Sequence, residues 1–441
     1  MYFLLLSLLL FWIPPQFLLN HLRGFFDWIR LLAFYLSFSL GYALVFVFAL
    51  NLRRKLPLFL GIFILPAALV AYEYLLTIIP LSLPMYFGVT QQNNSIGIQS
   101  VNVFGPWVVT FLIFLTNYVL YKIVMLSQSG RLRVAFYLFA FLLAVLVSNQ
   151  VYGLIAVQLN RDFPENGTAK VCLVQPNIEF KAGLRSSKVD YFYNQSMRRL
   201  IYLSRPDPNC DLIIWPELSV LRSIVQTTNG IFEEFANNLQ IPLLFGSPYY
   251  DYQHQGMKNT VLVLSEMGLI RDKYSKTKLF PKFEEIDYIE GKTLRPLLIS
   301  KKIRKVGALL CFESLFPQIS RSLSKKEISF LVVLSNDAWF GDSNWPRFHL
   351  ACAIFRAIEN GSYAIHLNNN GPSAVISPTG KIMTFLPEYE MAYANVEVGL
   401  KQKPTIYKKF GDWFAWLCLA YVGLTSLSQS ALSLKSYKGR R

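Results

Sequence analysis

Long apolar runs constrain this chain more than any other feature, because a helix that crosses the hydrocarbon core of a bilayer needs roughly 20 apolar residues. Five such stretches precede residue 160, at about 1–20, 31–50, 56–79, 104–121 and 134–156, and a sixth lies near 412–433. Residues from about 160 to 405 read instead like ordinary globular sequence, so the hydrophobic content of 53% over 441 residues is a local excess. A wholly soluble fold is excluded, and the expected organisation is a membrane region over 1–160, a globular domain over 165–405, a last membrane helix over 410–434 and a basic tail over 435–441.

The formal charge of +16 would suit a nucleic-acid binder, but its distribution has a membrane explanation. Lysine and arginine gather on the cytoplasmic side of membrane helices. Arg53, Arg54 and Lys55 follow the second segment, Lys122, Arg131 and Arg133 separate the fourth from the fifth, and Lys435, Lys438, Arg440 and Arg441 end the chain. Placing these clusters inside makes six segments alternate from a cytoplasmic N-terminus and puts the long globular region outside the cytoplasm. The linker from Pro80 to Val103 carries no lysine or arginine, as an outer loop should, whereas Arg23 and Arg30 of the first outer loop are partly offset by Asp27. A re-entrant first segment turning at Pro14 and Pro15 is the alternative. That segment lacks a positive leader and a small-residue cleavage site, so it is expected to stay in the membrane. No nucleic-acid partner is expected.

From Ala169 the periodicity shifts to short strands separated by turns. Strands are expected at 169–174, 211–215, 241–246, 259–265, 306–310, 329–334, 363–367 and 373–377, with helices at 188–204, 230–239, 315–323 and 347–360. Apolar central strands alternating with helices imply an α/β domain of sheets covered by helices. The five cysteines form no C-x-x-C pair and no zinc-like spacing. Cys172 and Cys210 fit either a disulfide or two buried thiols, and the thiols are the preferred reading.

Three residues at strand ends carry the chemistry. Cys311 closes the run Val306-Gly307-Ala308-Leu309-Leu310, Glu217 follows Leu212-Ile213-Ile214-Trp215-Pro216, and Lys276 ends Arg271-Asp272-Lys273-Tyr274-Ser275. A thiol attacks a carbonyl only as thiolate, so it needs a base or a positive field beside it. None of His21, His254, His349 and His366 stands in a recognisable catalytic setting. Glu217, raised by an apolar strand end, could take the thiol proton, and Lys276 with a backbone N–H near Phe312 could stabilise an oxyanion. Glu73 inside the third apolar segment is a functional candidate or a carboxylate near the outer interface.

Glu217, Lys276 and Cys311 in this chain order, within Trp215-Pro216-Glu217, Lys276-Thr277-Lys278-Leu279-Phe280-Pro281 and Cys311-Phe312-Glu313, resemble the Glu-Lys-Cys triad of the nitrilase superfamily of carbon-nitrogen hydrolases. The flanking apolar segments, the run Ser335-Asn336-Asp337-Ala338-Trp339-Phe340-Gly341, and Asn369-Asn370-Gly371 ahead of Ser377-Pro378-Thr379-Gly380 narrow the resemblance to its membrane-embedded apolipoprotein N-acyltransferase branch. The resemblance implies a nitrilase-like α-β-β-α sandwich inserted between transmembrane helices. It implies Glu217 as general base, Lys276 as oxyanion stabiliser, Cys311 as nucleophile and Glu284 as the carboxylate that holds Lys276, with Glu285 one register away. Glu313, Trp215, Asn336 and Trp339 match supporting positions more loosely, and the two tryptophans could simply pack. The sequence departs from the family at Pro281-Lys282-Phe283-Glu284, where a glycine is missing, and at Phe312, where tyrosine is common; it also shows six apolar segments against about eight.

The implied activity is ping-pong acyl transfer at the bacterial inner membrane, on its periplasmic side. Cys311 would take an acyl chain from a phospholipid as a thioester, and the α-amino group of a diacylglyceryl cysteine at an apolipoprotein N-terminus would receive it. No metal or other cofactor is expected. A membrane-tethered amidase using water is the alternative. Tyr249-Tyr250-Asp251-Tyr252 and Phe340 to Trp345 are candidate mobile loops around the site, or ordinary surface turns.

Overall fold

The computed structural model describes residues 25–79, 84–159, 167–178, 186–204, 210–221, 231–281, 284–340 and 343–438. The first apolar segment, Arg23, Lys282, Phe283, Gly341 and the terminal arginines lie outside them, as does the side chain of Trp339. The chain divides into two compact units, one holding Leu18–Val157 and Phe410–Arg441 and the other holding Gln158–Lys409.

In the first unit the apolar segments form helices α1 (Phe25–Arg53), α2 (Leu58–Ile78), α3 (Trp107–Gln128) and α4 (Leu132–Leu159). Tyr42, Ile62, Leu65, Leu69, Leu115, Val119, Leu138 and Leu142 pack into one core. An apolar face of α4 is exposed, including Phe136, Tyr137, Leu143 and Leu154. Such a surface aggregates in water and suits lipid. Among the described residues α2, α3 and α4 are long and apolar enough to cross a membrane. The C-terminal helix Trp413–Lys438 is less apolar, and its hydroxyls turn back on their own backbone: Thr425 donates to the Tyr421 carbonyl at 2.7 Å and Ser428 to that of Thr425 at 2.8 Å. Glu73 is fully buried and accepts from the Tyr42 hydroxyl at 3.1 Å and the Phe87 N–H at 3.0 Å, which fastens the turn after α2.

The second unit holds two six-stranded mixed sheets. The first runs in the order β12 (Ala392–Gly399), β1 (Thr168–Gln175), β2 (Leu212–Ile214), β3 (Leu243–Asp251), β4 (Gly256–Leu264), β5 (Ile270–Ser275). The second runs β11 (Ile382–Leu386), β10 (Ser373–Ile376), β9 (Ala364–Asn368), β8 (Phe330–Ser335), β7 (Lys305–Leu310), β6 (Leu297–Leu298). Strand alternation sends Val171, Leu173, Leu212, Ile214 and Leu244 toward Val306, Ala308, Leu310, Val332 and Ile365, and together these fill the space between the sheets. Cys172, Val174, Ile213, Leu243 and Phe245 point the opposite way, onto a second core with Met197 and Leu200 of α5 (Ser186–Leu203) and Leu239 of α6 (Ile231–Leu239). Helices α7 (Pro317–Ser324) and α8 (Trp345–Asn360) lie against the second sheet, which completes the expected α-β-β-α layering.

Every strand and helix expected in this domain forms, with ends shifted by a few residues. Two expectations are corrected. Cys172 and Cys210 are joined in a disulfide rather than left as thiols. Tyr249 to Asp251 belong to β3 and pair with Lys258 to Gly256 of β4, so a regular hairpin takes the place of a mobile loop.

Candidate active site

The site lies at strand ends contributed by both sheets. The first sheet brings carboxylates and an amine. Glu217, just past β2, is buried; its Oε1 accepts from the Lys276 Nζ at 3.1 Å and the Asn259 Nδ2 at 2.8 Å, and its Oε2 accepts from the Asn336 N–H at 3.1 Å. Lys276, the residue after β5, also lies 2.8 Å from Glu284. Glu284 accepts in addition from Asn259 Nδ2 at 2.9 Å and from the Phe280 N–H at 2.7 Å, whereas Glu285 is exposed. One buried ammonium therefore sits between two carboxylates, and Asn259 bridges those carboxylates from the other side.

Two glycines make this approach feasible. A Cβ on Gly246 of β3 would stand 2.6 Å from Glu217 Cα, and one on Gly291 would stand 2.2 Å from the Ser275 carbonyl oxygen. The Gly291 N–H instead donates to the Lys276 carbonyl at 2.7 Å.

The second sheet brings the thiol. Cys311 follows β7 at a φ of 43°, a left-handed conformation that few non-glycine residues adopt, and opens a 3₁₀ turn, Cys311–Leu315. Glu313 in that turn is fully buried and ties the sheets together. It accepts from the Leu310 N–H at 2.9 Å on its own side, and from the Tyr274 hydroxyl at 2.6 Å and the Thr277 N–H at 2.7 Å on the lysine side. Arg356 of α8 donates to the Ser314 carbonyl at 3.0 Å, and the Ser314 hydroxyl donates to the Cys311 carbonyl at 2.7 Å. Phe312 is fully buried, edge-on to Phe280 at 5.1 Å and to Phe316 at 5.1 Å, so an aromatic cluster occupies the place where a tyrosine hydroxyl was expected in relatives.

Behind the sulfur stand two groups that sequence reasoning did not bring to it. Cys311 Sγ lies 3.9 Å from Asp337 Oδ1 and 4.0 Å from His349 Nδ1, and that nitrogen lies 2.8 Å from Asp337 Oδ1. In the sequence Asp337 shows only as a member of the run Ser335 to Gly341, and His349 stands in no recognisable catalytic setting. The one available signal is that His349 falls on the expected helix 347–360. Cys311, Asp337 and His349 are also the described residues whose donor atoms lie close enough to hold a metal ion.

Electrostatics follow from burial and neighbours. Burial pushes the Glu217 carboxyl above its usual range and the Lys276 charge holds it back. Burial disfavours the Lys276 ammonium, but Glu217 and Glu284 outweigh it and keep the amine charged well above the ordinary lysine range. Burial, with Glu217 adding to it, holds the Cys311 thiol well above the ordinary range, opposed by Lys276. A resting neutral thiol beside a proton-hungry carboxylate is the consequence. The arrangement can move the thiol proton to Glu217 while Lys276 meets negative charge developing on a substrate.

Of the other candidates, Asn336 touches Glu217 through its backbone, and its Oδ1 accepts from Asn369 Nδ2 at 3.1 Å. Trp215 points away, into the helix-covered core; its Nε1 donates to Ser204 at 2.7 Å and its ring stacks on Phe235 at 5.5 Å.

Residues 170–402 match the carbon-nitrogen hydrolase family, and residues 1–119 match the apolipoprotein N-acyltransferase N-terminal domain. A curated apolipoprotein N-acyltransferase of Geobacter metallireducens is 28% identical over 362 residues, covering 76% of this chain and 67% of that protein. Another, of Pseudomonas putida, is 28% identical over 347 residues, covering 74% of this chain and 66% of that protein. The matched stretch thus spans about two thirds of each relative's length. Among solved structures, a Saccharomyces cerevisiae member of branch 10 of the nitrilase superfamily aligns with a TM-score of 0.42 at 19% identity, over 55% of this chain and 94% of that one.

Proposed function

The chain belongs to the carbon-nitrogen hydrolase family, and from that premise we propose that it is a membrane acyltransferase acting on apolipoproteins. Cys311 attacks the ester carbonyl of a phospholipid, its proton passes to Glu217, and the tetrahedral oxyanion is met by Lys276. Glu217 returns the proton to the departing lysophospholipid oxygen, leaving a Cys311 thioester. The free α-amine of a diacylglyceryl cysteine then attacks the thioester and gives its proton to Glu217, which passes it to the departing Cys311 thiolate and so restores the thiol. Glu284 and Asn259 hold Lys276 and Glu217 in register, and Glu313 and Asn336 position the loops that carry them.

The observation that carries this reading is a single one: a buried Lys276 ammonium shared by Glu217 and Glu284 at 3.1 and 2.8 Å, in a chain that also holds helices apolar enough to cross a membrane. The likeness to curated apolipoprotein N-acyltransferases supports the acceptor, and the exposed apolar face of α4 supports the bilayer as setting. The phospholipid donor, the inner membrane and the periplasmic side complete the proposal. So do the boundaries, with membrane helices over 1–160 and 410–434, the catalytic domain over 165–405 and a cytoplasmic tail over 435–441.

Incubation of the purified chain with an alkyne-tagged phospholipid tests it. A labelled Cys311 that persists until a diacylglyceryl peptide is added is the expected result. Prompt release of free fatty acid without the peptide would mean hydrolysis instead and overturn the transferase reading.

A further inference from the structure

We propose that Cys311, Asp337 and His349 form a site for a divalent cation of the zinc class, which caps the thiol when it binds. The three side chains offer a thiolate sulfur, an imidazole nitrogen and a carboxylate oxygen, the donor set that such borderline-soft ions take. All three are buried, with sulfur to oxygen at 3.9 Å, sulfur to nitrogen at 4.0 Å and nitrogen to oxygen at 2.8 Å. Tetrahedral zinc with bonds of about 2.0–2.3 Å sets its donors roughly 3.3–3.6 Å apart. The sulfur has only to close by a few tenths of an ångström, and the Nδ1 to Oδ1 contact to open by about half of one.

The surroundings are those of a supported site. Asp337 is held by the Ser335 hydroxyl at 2.9 Å, by Asn368 Nδ2, and by its own N–H, which donates to Asn368 Oδ1 at 3.0 Å. The His349 ring is walled by Phe340 at 5.8 Å and Trp345 at 6.0 Å, and its Nε2 is buried with no hydrogen-bond partner among the described residues. Nε2 takes the ring proton when Nδ1 gives its lone pair to the metal. Binding replaces the S–H bond with a sulfur–metal bond and releases that proton to solvent, while the imidazole only exchanges one N–H for the other. No electron is transferred. If Cys311 is the nucleophile of the proposed acyl transfer, the cation silences the enzyme reversibly; that consequence rests on the functional reading above, but the binding does not.

The test uses the full chain in lipid nanodiscs, zinc chloride as the probe, and alkylation of Cys311 by iodoacetamide resolved by peptide mass spectrometry. Zinc should slow alkylation of Cys311, a chelator should restore it, and about one proton should be released per zinc bound. His349→Gln and Asp337→Asn should each raise the half-protecting zinc concentration by about tenfold or more. Equal protection in variants that melt like the parent protein would overturn the site, as would no protection at all in the parent. Zinc-edge X-ray absorption of the parent protein decides the matter even if both variants misfold: a shell of one sulfur with nitrogen and oxygen supports the site, and a shell without sulfur removes it. Because protection of a thiol is read rather than acyl transfer, failure here leaves the lipid-adduct experiment untouched.

Discussion

The two sheets of the sandwich equip the site in opposite ways. The first sheet supplies formal charge, two carboxylates and an ammonium locked together through Asn259, whereas the second supplies a neutral thiol on a strained turn. Charge clusters buried like this are costly to interrupt, since removing one partner strands the others away from water. A thiol can be removed with little structural consequence. Dependence on the charge cluster of the first sheet should therefore appear in both stability and rate, and dependence on the Cys311 thiol in rate alone.

Cys311→Ala draws the contrast most sharply: acyl transfer and lipid adduct should fall by at least about a thousandfold, with no loss of melting temperature. A variant that unfolds would collapse the distinction. Lys276→Ala should do both kinds of damage, lowering the adduct rate about 100- to 1000-fold and the unfolding free energy by about 3–5 kcal/mol, read by denaturant titration. An inactive but fully stable Lys276→Ala protein would show that the ammonium is not what holds the carboxylates. Gly246→Ala pushes the Glu217 backbone from 2.6 Å away and should slow adduct formation roughly tenfold while Cys311 stays open to alkylation. The mildest change, Asn259→Leu, removes an amide N–H that favours the charged form of Glu217. The carboxyl must then rise further, so the acidic limb of the pH profile for adduct formation should move to higher pH. A limb that stays or moves down would mean that Asn259 does not act on that charge.

How much of this was legible depended on where each residue sits along its own strand. Glu217, Lys276 and Cys311 follow apolar runs, and a polar group that closes a buried strand is visible in one dimension. The sandwich was legible for the same reason, since central strands such as Val306 to Leu310 are continuous apolar runs. β12, exposed on alternate residues, left a weaker trace. Asn259 lies within β4 and differs from any surface amide only by what faces it across the sheet. His349 meets Cys311 through a helix that begins after the Asp337 turn, a juxtaposition no local spacing encodes. Trp215 failed in the opposite direction: it shares with Ile213 the face turned onto the helices, and Glu217, two residues on, enters the site only because the chain leaves the strand after Ile214. The choice of two free thiols at Cys172 and Cys210 rested on composition, whereas pairing was decided by β1 and the start of β2 running side by side.

The left-handed backbone at Cys311 also bears on how such a chain can decay. A cysteine at φ 43° costs on the order of 1 kcal/mol relative to a glycine that adopts the same conformation freely. Glycine would take this conformation without strain, but it would also give up a buried side chain worth about as much. Backbone strain and side-chain burial thus nearly offset each other, so the fold has little preference of its own for the thiol and the reaction is what holds it in place.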